Sequence, residues 1–127
     1  MRTVLVDTDI LINFLRGREN ARQFLFSLID DAAISCSAIT VAEIFAGMRA
    51  SEVQKTRDLM DNLDVIPVTR EIAEQAGRYK GSIKSHSLEL DDCIIAASAF
   101  VGKAILATGN GRHYPMEDIK KVVVACD

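Results

Sequence analysis

Short apolar runs alternating with segments of helical periodicity predict an α/β layer fold on a mostly parallel sheet. Two observations carry this. The strand-like runs are continuously apolar rather than alternating, as strands covered on both faces should be. The polar residues able to bind a ligand stand just after those runs, where open parallel sheets gather their ligands. At 127 residues, 49% hydrophobic and 26% charged, the chain is one domain's worth, with no repeat, low-complexity segment or linker. Its core is large enough to fold without disulfides or a structural metal.

Thr3 to Val6 is an apolar run ending at Asp7 and reads as a buried strand. Asp9 to Leu15 reads as a short helix stopped by Gly17. Ala21, Phe24, Leu25, Leu28 and Ile29 recur at helical spacing. Ala32 to Ser37 is a second strand. Thr40 opens another helix, whose spacing runs to about Asn62 with breaks at Gly47 and Ser51. Val65 and Ile66 form a third strand, closed by Pro67. Ile72, Ala76, Tyr79 and Ile83 mark one face of a helix from about Thr69 to Lys84, which Gly81 frays or ends. After a polar loop, an apolar helix runs from about Leu88 to Val101, with Gly102 as its C-terminal cap. Ala104 to Ala107 is a fourth strand, Gly109-Asn110-Gly111 a turn, and Val122 to Ala125 a last strand.

The formal net charge of −3 does not advertise a generic nucleic-acid binder. Without Asp7, Asp9, Glu43, Asp91 and Asp92, however, 15 basic residues face 13 acidic ones, a balance of +2 that could attract a polyanion. Cys36, Cys93 and Cys126 are far apart in apolar stretches, which disfavours a zinc site or a disulfide framework and suits a reducing, cytoplasmic setting. Asp7 interrupts the first apolar run too early for a signal peptide. The stretch from Cys93 to Gly102 is too short to span a bilayer, so no membrane association is expected.

The carboxylates carry the chemistry. Asp7 could simply cap the helix that follows it, yet one cap does not need Asp7, Thr8 and Asp9 together. Thr40 and Glu43 fit a capping box, and taken alone that reading is favoured; the position after the second strand argues for the ligand zone instead. Asp91 and Asp92 suit a helix N-terminus. Neighbouring helix residues point about 100° apart, so only one should face the site. Ile95 and Ala96 place Asp92 on the inner side and leave Asp91 at the rim. Carboxylates gathered together repel one another unless something positive sits between them. An oxygen-only donor set suits Mg²⁺ or Mn²⁺, and such an ion activates water and stabilises charge on a phosphoryl oxygen. That points to phosphate-ester hydrolysis.

The blocks Val4 to Ile12, Thr40 to Glu43, Asp92 to Ala99 and Leu106 to Asn110, in that order, resemble the signature blocks of PIN-domain ribonucleases. Length, block order and Val65-Ile66-Pro67-Val68 resemble the VapC-type toxins of toxin–antitoxin pairs. The resemblance covers almost the whole chain. It implies a single PIN-like domain over residues 1–127, in a three-layer α/β/α fold with a five-stranded, mostly parallel sheet. It also implies Mg²⁺- or Mn²⁺-dependent endonucleolytic cleavage of RNA to 5′-phosphate and 3′-hydroxyl ends, a cognate antitoxin protein and a homodimer. Asp7, Glu43 and Asp92 would hold the metal, Asn110 would join them in catalysis, and Thr8, Asp9, Asp91 and Thr108 would support them. Relatives typically carry a further acid near Asn110. The neutral amide here leaves one ion or two open.

Arg16, Arg18, Arg49, Lys84 and Arg112 are candidates to contact an RNA backbone, against the plainer reading of solvated surface. His86 reads as a surface histidine, while His113 is open between surface and site. Phe14, Phe24 and Phe26 could form a groove for an antitoxin segment, though core is favoured for them. A haloacid-dehalogenase-type phosphatase would explain Asp7-Thr8-Asp9 but lacks the residues that should follow and leaves Glu43 without a role. A phosphoacceptor receiver would need its Asp after the third strand, where Pro67 stands. An inactive PIN-like module that binds RNA or protein is the remaining alternative.

Overall fold

The computed structural model describes residues 2–85 and 87–125. Five strands, β1 (Arg2–Val6), β2 (Ala32–Ser37), β3 (Asp64–Ile66), β4 (Ile105–Thr108) and β5 (Lys120–Val123), form one sheet in the order β3-β2-β1-β4-β5. Every pairing is parallel, with Leu5 opposite Ser35 on one side and Leu106 on the other. Six helices flank it: α1 (Thr8–Leu15), α2 (Glu19–Leu28), α3 (Ala38–Gly47), α4 (Val53–Asp61), α5 (Arg70–Ser82) and α6 (Leu90–Gly102). Short 3₁₀ turns cover Ala50–Glu52 and Gly111–His113.

Strand alternation divides the core. Val4 and Val6 pack with Ile10, Leu11, Leu25 and Leu28 beneath α1 and α2, while Leu5 and Leu106 face Ile72, Ala76, Cys93 and Ile95 of α5 and α6. The sheet therefore lies between two helical layers. After β1 the chain builds outward through β2 to β3, then returns to β1's other side with β4 and β5. The crevice where strand order reverses opens at the carboxyl ends of β1 and β4, the natural ligand position of such sheets.

Several boundaries depart from the sequence reading, each for a local reason. Helix α3 starts at Ala38, not Thr40, because the Ser37 side chain caps it by accepting from Ile39 N at 3.2 Å. Helix α1 starts at Thr8, one residue earlier than expected. Leu88 stays outside α6: its side chain is buried and its carbonyl accepts from Lys80 Nζ at 2.6 Å. Gly102 is the last residue of α6 rather than its cap, and Lys103 takes the left-handed conformation (φ 53°) that glycine would adopt freely. Gly81 lies inside α5, whereas Gly17 takes φ 75° and ends α1. Strand β5 runs from Lys120 to Val123, not from Val122, and is exposed throughout, because an edge strand has one side open to solvent. Cys36 and Cys93 are buried free thiols; His86 and Cys126 lie outside the described residues.

Candidate active site

The acids assemble at the crevice because each follows or opens a packed element. Asp7 leaves β1 with its backbone still in the sheet, its N–H donating to Ala107 O at 2.8 Å. Its carboxyl is buried and doubly held: Oδ1 accepts from Thr8 N at 2.8 Å and Oδ2 from the Thr108 hydroxyl at 2.7 Å. Asp7 thus does both things the sequence allowed, capping α1 and facing the cleft. Asp9, in the first turn of α1, accepts from Gly109 N through both oxygens, at 3.2 and 3.0 Å, tying α1 to the loop after β4.

Glu43 is not spent on a capping box. With Ser37 capping α3, Glu43 Oε1 accepts from the Thr8 hydroxyl at 2.7 Å, and the Thr8 and Thr40 hydroxyls are 2.9 Å apart. At the start of α6, Asp91 Oδ1 accepts from Asp92 N at 3.0 Å, and its carboxyl stands close enough to Glu43 to raise that acid. Asp92 turns inward, with Oδ2 3.5 Å from His113 Nδ1 and Oδ1 accepting from the Tyr114 hydroxyl at 3.4 Å. Asn110 is placed by its N–H donating to Thr108 Oγ1 at 3.0 Å, and its side-chain nitrogen lies 3.0 Å from His113 Nε2.

The result is a cavity of about 270 Å³ bordered by Asp7, Thr8, Asp9, Ile12, Glu43, Asp92, Asn110 and His113. Four of these eight residues are carboxylates. Burial raises Asp7 above the ordinary aspartate range; the Thr108 hydroxyl opposes this and the charge of Asp9 adds to it. Burial and Asp91 push Glu43 up to about 7. Burial, then the Asp91 charge, push Asp92 up to about 6, with His113 pulling the other way. Among the described residues no lysine or arginine is ion-paired with these acids, and no three Asp, Glu, His or Cys side chains stand at spacing that would enclose an ion.

Of the residues expected around the site, Thr8 and Thr108 are the hydroxyl donors and Asp91 stands behind Glu43, off the cavity wall. Arg16 and Arg49 line an adjoining cavity of about 420 Å³ that shares Ile12 and Glu43 with the acidic cleft. Arg112 is exposed on the 3₁₀ turn beside Asn110, whereas Arg18 and Lys84 are exposed and line neither cavity. His113 is a cleft residue, joined to Asn110 and Asp92. Tyr114 was not expected: its ring is fully buried and its hydroxyl meets the acids. The signal available was a tyrosine in an otherwise polar loop, next to Pro115. Phe14 and Phe24 pack against the core as favoured, whereas Phe26 is 52% exposed and lines a separate groove that Phe14 also borders.

Residues 4–119 match the PIN domain family. Ribonuclease VapC10 of Mycobacterium tuberculosis is 40% identical over 118 residues, covering 89% of this chain and 86% of that protein. A toxin–antitoxin complex from Klebsiella pneumoniae contains a chain of similar structure (TM-score 0.78, 29% identity, 92% and 95% covered). VapBC2 from Rickettsia felis shares the fold (TM-score 0.82, 18% identity, 95% and 98% covered). The fold is that of a PIN domain. Within that class, the chain belongs to the VapC family of ribonuclease toxins. Among the described residues, no helix is long and apolar enough to cross a membrane.

Proposed function

We propose that this protein is a Mg²⁺- or Mn²⁺-dependent endoribonuclease, the toxin of a pair held inactive by its cognate antitoxin and acting in the cytoplasm. The observation that carries the reading is the convergence of Asp7, Asp9, Glu43 and Asp92, from segments remote in sequence, on one crevice. The donor set fits a hard divalent cation: all oxygen, partly desolvated, and lacking a counter-charge from lysine or arginine. Asp7, Glu43 and Asp92 would hold the ion. Once bound, it would polarise the scissile phosphate and acidify a water.

The chain's own residues do the rest. Thr8 and Thr108 fix Glu43 and Asp7 by hydrogen bonds, so that both carboxylates face the phosphate without rotamer search. A carboxylate oxygen free of these bonds can accept a proton from the attacking water. Asn110, held through Thr108, offers an amide to a phosphate oxygen or water. Arg16 and Arg49 in the adjoining cavity, and Arg112 on the other side, would contact the RNA backbone.

A groove of about 690 Å³ between α1, α2 and α4 supports the antitoxin reading. It exposes Phe26 and Ile29 at 52% and 58%, with Phe14 edge-on to Phe26. An amphipathic segment of the antitoxin would cover it. Leu15 borders both this groove and the arginine-lined cavity, so a segment seated there can continue toward the acids. The homodimer expected of the family is checked by light scattering. The cleavage test is purified protein on structured RNAs with Mg²⁺ or Mn²⁺, against EDTA and Asp7→Asn controls. Metal-dependent cutting lost in the variant supports the reading; absence of both cutting and Mn²⁺ binding refutes it.

A further inference from the structure

Tyr114 is a buried phenol placed where phenylalanine would fill the same space. Its ring belongs to the core under α5 and α6, with Leu106 and Met116. A buried phenol needs a hydrogen-bond partner, and this one finds it in Asp92. Its hydroxyl donates to Asp92 Oδ1 at 3.4 Å and stands near enough to Asp7 to favour the ionised form of that carboxyl. The backbone beneath is clamped. Tyr114 N donates to Gly111 O at 3.1 Å, and Lys121 Nζ of β5 donates to Tyr114 O at 2.6 Å and Gly111 O at 3.2 Å. Burial and the neighbouring charges of Asp7 and Asp92 push the phenol far above its ordinary range, so it stays an O–H donor.

Asp7 and Asp92 arrive from different elements, one from the end of β1 and one from the first turn of α6. The other donors serve them separately: Thr8 and Thr108 hold Asp7, and His113 stands beside Asp92. Among the described residues, the Tyr114 hydroxyl is the group that meets both. We propose that Tyr114 is a positioning residue, whose single O–H between Asp7 and Asp92 keeps two repelling carboxylates aimed at one point before a cation arrives. The inference rests on the metal-dependent reading above and deepens it.

The test is Tyr114→Phe, which keeps the ring and removes only the hydroxyl. Mn²⁺ binding by calorimetry at pH 7.5 is expected to weaken by roughly 10-fold or more, the usual cost of losing a group that orients metal ligands. Cleavage at limiting Mn²⁺ falls in kcat with KM for RNA unchanged, and excess Mn²⁺ restores it. Unaltered Mn²⁺ affinity with full cleavage makes Tyr114 a plain core residue and overturns the inference alone. A variant that does not fold, judged by circular dichroism, makes the hydroxyl a folding group and overturns it too. If the unaltered protein itself binds no Mn²⁺ and cuts no RNA, the metal reading falls and this inference with it.

Discussion

Metal and proton should compete for the same carboxylates, and the structure sets the size of that competition. Glu43 and Asp92 are raised to about 7 and about 6 in the folded chain. Their ordinary values of 4.5 and 3.8 describe the unfolded chain. Groups raised on folding contribute stability that is full below the unfolded values and is lost as pH climbs through the folded ones. From these two acids, the ion-free protein is therefore steadier near pH 5 than near pH 8. A cation reverses the order, because it needs both carboxylates ionised. At pH 8 and Mn²⁺ at 100 times Kd, binding adds about 2.7 kcal/mol. With an unfolding entropy of roughly 2.1 cal/mol/K per residue over 127 residues, Tm should rise by about 10 °C. At pH 5, removing one proton from each acid weakens binding by about 1000-fold, and the same Mn²⁺ should leave Tm nearly unmoved. Scanning fluorimetry at both pH values, with and without Mn²⁺, reads this directly. An equal Tm rise at pH 5 and pH 8 would refute the reasoning, since the ion would then not be displacing these protons.

Asp7→Asn and Asp92→Asn should each lower RNA cleavage by more than about 100-fold, beyond the usual cost of losing an outer-shell partner, while circular dichroism stays unchanged. Ser37→Ala removes the cap of α3 and should cost about 1 kcal/mol in urea denaturation, loosening Glu43 through its helix. Lys103→Gly relieves a left-handed residue and should add about 1 kcal/mol of stability with cleavage untouched. Phe26→Asp, on the rim of the apolar groove, should weaken antitoxin binding in a pull-down and leave nuclease activity intact.

How far the fold could be read in advance depended on how local its causes were. β2, Ala32 to Ser37, is a run of small and apolar residues that starts directly after Asp30 and Asp31, and its bounds were legible. Strand β5 was displaced because Lys120 and Lys121 do not look like strand residues; what puts them there is pairing with Ile105 and Leu106. The start of α3 was misread because Thr40 and Glu43 satisfy a local capping rule, while tertiary contacts with Thr8 claim both side chains. The acids were visible as residue types following strands. Their partners were not: Thr108 bonds Asp7 across 101 positions of sequence, and Gly109 reaches Asp9 across 100. Tyr114 is the extreme case, since nothing adjacent to it tells that its hydroxyl ends between two aspartates.

The separation of these parts along the chain also matters for the cell that makes the protein. Thr108, whose hydroxyl holds Asp7, lies 101 residues further along the chain and is made after it. Strand β4 must slot beside β1 before the crevice has its second wall. A fragment that stops before β4 lacks the Thr108 hydroxyl that holds Asp7. On the proposed reading, the order in which the strands are made puts off assembly of the acidic crevice until β4 has been added beside β1.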